Sequence, residues 1–205
     1  FDETPLKDSL GATLQELQLD GDVNARLHLD IPLNGELVTA KGEVTLRNNS
    51  LFIKLLDSTL KNLSGKFSFI NGDLQSEPLT ASWFNQPLNV DFSTKEGAKA
   101  YQVAVNLNGN WQPAKTGVLP EAVNEALSGS VAWDGKVGID LPYHAGATYN
   151  IELNGDLKNV SSHLPSPLAK PAGEPLAVNV KVDGNLNSFE LTGQAGADNH
   201  FNSRW

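Results

Sequence analysis

The sequence predicts an all-β protein: a long twisted antiparallel meander curled into a half-pipe, with an apolar concave face and one or two short helices. Three observations predict it. Apolar and polar residues alternate with period two through most of the chain. A five-residue unit, apolar-x-Gly-x-apolar, recurs along it. Only two segments break the alternation, so there is little to cover a sheet. A strand points successive side chains to opposite faces, so each period-two run has one apolar and one wet face. Clean alternation marks antiparallel pairing with one solvated face.

The first run sets Val23, Ala25, Leu27, Leu29 and Ile31 against Asn24, Arg26, His28 and Asp30. The second sets Val38, Ala40, Val44 and Leu46 against Thr39, Lys41, Glu43, Thr45 and Arg47. Shorter runs follow: Leu51, Ile53 and Leu55; Phe67 and Phe69; Leu79, Ala81 and Trp83; Leu88, Val90 and Phe92. The longest later run is Tyr101, Val103, Val105 and Leu107. It is followed by Val131 and Trp133, by Val137, Ile139 and Leu141, and by Tyr149, Ile151 and Leu153. Val178, Val180 and Val182, then Phe189 and Leu191, close the series. Short strands at this spacing read as a continuous meander.

The glycine unit occurs at residues 19–23, 33–37, 63–67, 70–74, 107–111, 127–131, 153–157 and 182–186. Asn-Gly and Asp-Gly pairs are the strongest short hairpin signals. Other copies read as glycines inside strands, where they mark bulges or bends. The spacing is irregular, which excludes a strict solenoid and a calcium-binding nonapeptide array.

The two interruptions differ. Residues 120–127, PEAVNEAL, open with Pro and Glu and carry Ala122, Val123, Ala126 and Leu127, a pattern of one or two helical turns. Residues 159–175 hold Pro165, Pro167, Pro171 and Pro175 and read as a long loop or short helix. Phe1 and Trp205 both fall in patterned sequence. The expected organisation is one continuous β segment over residues 1–205 of a larger protein, with a weak boundary near residues 112–120.

Composition removes several function classes. The net charge is −9, and no Lys/Arg stripe offsets it, so nucleic acid is not an expected partner. There is no cysteine, hence no disulfide framework and no thiolate chemistry. His28 has the wet parity of its run, and His144, His163 and His200 sit in loop-like sequence without metal-ligand spacing. No nucleophile elbow, phosphate loop or dinucleotide fingerprint is present. No catalytic residue, metal site or cofactor is therefore expected.

The apolar parity must be buried somewhere, at roughly 25 cal/mol per Å². A closed sandwich would make it ordinary core. About a dozen strands with one helical candidate instead suggest an open sheet, some 60 Å long at about 4.8 Å per strand. Right-handed twist turns such a sheet into a trough.

The stretch from Leu46 to Phe92 resembles the AsmA-like proteins of the Gram-negative envelope, the group that includes TamB. Its Gly65-Lys66-Phe67-Ser68-Phe69 strand, Asn71-Gly72 turn and Leu79-Thr80-Ala81-Ser82-Trp83-Phe84-Asn85-Gln86-Pro87 segment stand where that family has corresponding motifs. Asn85 replaces a usual Gly, and Asn tolerates the left-handed conformation. The loop His163-Leu164-Pro165-Ser166-Pro167-Leu168-Ala169-Lys170-Pro171 resembles one branch of the family. The resemblance covers most of residues 19–194. It implies a β-taco whose apolar residues, from Val23 to Leu191 as named above, line a groove for phospholipid acyl chains. It further implies a periplasmic location, an inner-membrane anchor through an N-terminal helix absent from this chain, and reach toward the outer membrane. The family offers no catalytic residues to carry over. The competing expectations are a periplasmic scaffold or protein-binding module with a closed apolar core, and a β-solenoid acting on carbohydrate.

Overall fold

A computed structural model describes residues 17–34, 38–54, 57–166, 168–185, 187–197 and 199–205. Gly35, Leu37, Leu55, Pro167 and Leu186, on which parts of the expectations rest, lie outside the described residues. The first half of the chain supplies β1 (Leu17–Asp20), β2 (Val23–Asp30), β3 (Thr39–Ile53), β4 (Ser58–Ile70), β5 (Asp73–Ser76), β6 (Leu79–Trp83), β7 (Gln86–Glu96) and β8 (Ala100–Trp111). After helix α1 (Glu121–Ala126) come β9 (Leu127–Gly129), β10 (Val131–Pro142), β11 (Thr148–Asp156), β12 (Val160–Ser162), β13 (Ala177–Asn185), β14 (Phe189–Ala195) and β15 (Asn199–Arg204).

All except β9 and β12 join one antiparallel sheet, in the order β1-β3-β4-β5-β7-β8-β10-β11-β13-β14-β15, with β2 beside β3 and β6 between β4 and β7. The register keeps the apolar parity in line. Ala25 faces Val44, which faces Phe67. Phe92 faces Val105, then Val137, Ile151, Val182 and Leu191 follow as cross-strand partners. A slip of one residue anywhere would send a strand's apolar set to water, so burial of one face enforces this register.

The sheet is bent along a crease that crosses the first strands at one level. β1 and β2 are two arms of a strand broken at Gly21, pairing with the far and near halves of β3. β3 is bulged around Asn49, and β4 shifts register between Lys61 and Ser64. β5 pairs with β4 on the hairpin side of this level, and β6 pairs with β4 across it. Bulges bend a strand, and bulges aligned across neighbours bend the whole sheet about an axis perpendicular to the strands. The strands therefore run across the trough, not along it. The Leu51–Ile53 run is the far arm of β3 and not a separate strand, because the bulge restores its apolar parity.

The bend closes one dry core. Leu46, Leu60, Leu63, Leu79, Ala81, Leu88 and Val90 pack together, each less than a tenth exposed. Leu79 and Leu88 are 2% exposed.

The glycine unit has two structural meanings. Gly72 lies in the β4–β5 turn, beside Asn71 at φ 52°. Phe84 and Asn85, both at positive φ, make the β6–β7 turn, so Asn85 serves where a glycine was usual. In contrast, Gly65, Gly109, Gly155 and Gly184 lie within strands. Gly109 and Gly155 stand directly across from Trp133 on either side. The missing Cβ leaves room for a large ring between neighbouring strands.

Residues 112–130 leave the sheet after β8, and β10 returns to pair with β8 in register. The helix begins at Glu121, as the PEAVNEAL pattern predicts. The proline-rich segment is loop over most of its described length, as expected, but its start is a strand. It contributes β12, which pairs with β9, and Ser162 bridges Lys170. The reason is tertiary: β12 finds the unpaired edge of β9, a contact 33 residues away between Ser128 and Ser161. β9 itself occupies the glycine unit at residues 127–131. Gly129 sits at φ 94°, and a Cβ there would overlap the Asn159 carbonyl. Gly129→Ala is expected to destabilise the chain by about 1–3 kcal/mol. Amide exchange should accelerate first in β9 and β12, with the large sheet still protected.

Candidate functional site

The apolar face of the sheet is a trough with two unlike rims. One rim is built from tight connections: the β4–β5, β7–β8, β10–β11 and β13–β14 hairpins. The opposite rim carries the creased arms of β1, β3, β4 and β6, the β6–β7 turn, and the excursions 112–130 and 157–176.

Among the described residues neither face of the sheet carries a second layer over β8 to β14, yet the two faces differ in exposure. On β8 the wet parity, Gln102, Ala104, Asn106, Asn108 and Asn110, is exposed, whereas Val103, Val105, Leu107 and Trp111 are half-buried. Shelter of one parity by its own neighbours is what a concave face produces. The wet face holds itself with cross-strand pairs. Asn106 Nδ2 donates to Asp91 at 2.8 Å, Gln102 Nε2 to Asp140 at 2.8 Å, and Asn179 Nδ2 to Asn154 at 2.7 Å. Lys181–Glu152 and Arg204–Glu190 add ion pairs at 3.3 and 2.8 Å.

The structure sorts the residues that the sequence put on the apolar parity. Leu46, Leu79, Ala81, Leu88, Val90 and Tyr101 are buried by their own chain, so they support the trough and present no surface to it. Val44, Leu51, Ile53, Phe67, Trp83, Phe92, Val105, Leu107 and Trp133 pack half-buried against that core. Ala40, Phe69, Val103, Val131, Val137, Ile139, Tyr149, Ile151, Leu153, Val178, Val180, Val182 and Leu191 are half-buried along the rest of the face. Val23, Ala25, Leu27, Leu29, Val38 and Phe189, toward the outer strands, are exposed.

An aromatic wall closes the creased rim. Trp83 stacks on Phe84 at 4.8 Å, and Trp111 meets Trp133 edge-on at 4.7 Å, with Trp111 6.3 Å from both Trp83 and Phe84. Trp83 Nε1 donates to Ser58 Oγ and Trp111 Nε1 to the Pro87 carbonyl, each at 2.7 Å. Sequence reasoning missed Trp111, although it continues the Tyr101–Leu107 parity beyond Gly109. It also missed Leu60 and Leu63, whose spacing of three is legible only once the bulge is known.

The hairpin rim ends in polar groups. Tyr101 hydroxyl donates to the Gly72 carbonyl at 2.7 Å and lies 2.6 Å from Thr94 Oγ1. Burial pushes its phenol pKa up, against the hydrogen bond to Thr94. Lys95 Nζ, 2.8 Å from Asp73, and the Glu96 N–H hold the Asp73 carboxyl below its ordinary value.

Comparison with known proteins bears on this trough. The model of the YhdP protein family matches residues 1–205. Intermembrane phospholipid transporter YhdP of Escherichia coli (strain K12) is 99% identical over 205 residues, which is 100% of this chain and 16% of that protein. The chain thus spans about one-sixth of the relative it matches. No solved structure matches it.

Proposed function

Because the chain belongs to the YhdP family, we propose that it is one segment of a bridge-like conduit for phospholipid between the inner and outer membranes. The carrying observation is the apolar face itself, aligned strand to strand and, among the described residues, without a second layer over β8 to β14. Acyl chains lie across this half-buried surface, each CH₂ removed from water gaining about 0.8 kcal/mol. Headgroups stay in water. The chain works in the periplasm as part of an inner-membrane-anchored protein. It performs no bond-making step; guidance is passive, and net direction comes from elsewhere in the assembly.

Native mass spectrometry of the purified chain tests this. Wild type should retain phospholipid. A Val137→Asp/Ile151→Asp pair places two carboxylates side by side on the trough floor, flanked by Val105 and Val182. It should strip the lipid, because a charge resists transfer into an apolar environment. Ala104→Asp, exposed on the wet face between Ser93 and Gly138, should leave binding intact. Wild-type chain free of lipid after extraction from membranes, or a folded double variant that binds as well as wild type, sinks the proposal.

A further inference from the structure

Along three strands, burial of the inward residues rises from the hairpin rim to the crease. On β7, Glu96 is exposed, Thr94 and Phe92 are half-buried, and Val90, Leu88 and Gln86 are buried. On β3, Ala40 and Val44 are half-buried and Leu46 is buried, and beyond the bulge Leu51 and Ile53 are half-buried again. On β4, Phe69 and Phe67 are half-buried, and Leu63 and Leu60 are buried. The buried stretch of all three lies toward the creased rim.

The rings of the wall there are half-buried. Gln86, 8% exposed, accepts from the Gln112 N–H at 3.3 Å. Trp83 and Trp111 spend their ring N–H groups on the chain's own oxygens, and Trp133 Nε1 is buried with no partner. Beyond the wall, residues 112–130 and 157–176 add a further small sheet through β9 and β12. At the hairpin rim the inward residues of β7 finish in Thr94 and the exposed Glu96, beside a tight β7–β8 turn.

We infer that a phospholipid in the trough has one orientation: its headgroup crosses the hairpin rim, and its acyl chains point across the strands toward the aromatic wall at the creased rim. This rests on the conduit reading above and adds a direction to it. A phosphate-bearing headgroup cannot be buried unpaired, so it must leave by the rim where the lining turns polar and open. Tails lose nothing against a dry aromatic wall. At β3 to β7 the creased half is already filled by the chain's own leucines, so lipid there is confined to the hairpin side.

The absence of cysteine makes the test direct, since one introduced thiol carries the only label. Ala98→Cys marks the hairpin rim and Lys115→Cys the creased rim; both positions are exposed. Each labelled chain is loaded with phosphatidylethanolamine bearing a nitroxide either on the headgroup or at the acyl terminus. Headgroup nitroxide should quench the Ala98 label and spare the Lys115 label. Acyl-terminal nitroxide should quench the intrinsic tryptophan emission more than headgroup nitroxide does. Equal quenching at both rims, or the reverse order, overturns the single orientation while leaving the conduit in place. No tryptophan quenching by either lipid overturns the conduit reading and the orientation with it.

Discussion

Asn49→Leu is expected to lower the stability of the chain by about 3 kcal/mol, because three backbone groups lose their partner at a part-buried crease. Asn49 is 0% exposed. Its Nδ2 donates to the carbonyls of Asp20 and Asp22 at 3.2 and 3.1 Å, and its Oδ1 accepts from the Arg47 N–H at 2.7 Å. One side chain thus pins the break between β1 and β2 to the bulge in β3. Gly21, at φ 105°, permits the approach: a Cβ there would stand 2.8 Å from Asn49 Nδ2. Leucine has the same number of side-chain heavy atoms but offers neither donor nor acceptor. Asn49→Asp keeps the acceptor and turns a charge toward two carbonyls, so it should also be destabilised. The urea midpoint is the measurement. A midpoint for both variants within error of wild type would show that the crease is held by something other than this residue.

Leu88→Ala and Val182→Ala are expected to separate widely, by about 2–5 kcal/mol for the first and about 1 kcal/mol or less for the second. Leu88 is 2% exposed inside the closed core, where truncation leaves a cavity. Val182 sits half-buried on the open part of the trough, where water or a ligand fills the space. The contrast discriminates an open trough from a closed sandwich, in which both positions would be core. Denaturant unfolding of the two variants reads it, and comparable losses would favour the closed architecture. Added phospholipid should raise the midpoint of wild type, since a ligand that binds only the folded state stabilises it.

Much of the sheet was legible because alternation is a local signal. The β8 run from Tyr101 to Leu107 needs no partner to reveal its two faces, and its pairing with β10 puts Val103, Val105 and Leu107 opposite Ile139, Val137 and Gly135. The helix at Glu121–Ala126 and the turns at Asn71-Gly72 and Phe84-Asn85 were legible for the same reason, since their conformations are set by residues within one or two positions. Three features were not. Leu60 and Leu63 break the period because the register shift between Lys61 and Ser64 depends on β6. β12 hides in a proline-rich segment because its partner, β9, is distant in sequence. Trp111 joins the aromatic wall through Trp83 and Trp133, neither of which is near it in the chain.

By itself, then, the sequence determined that this protein is an antiparallel sheet with one apolar face, because side-chain direction alternates with every residue whatever the chain packs against. It did not determine which part of that face is filled. Leu88 and Val182 carry the same parity signal, yet one is sealed and the other open. Only the tertiary structure decided between them. The crease through Gly21, Asn49 and the β4 register shift folds one end of the sheet onto itself, and such a bend is the joint product of strands that no single stretch of sequence contains.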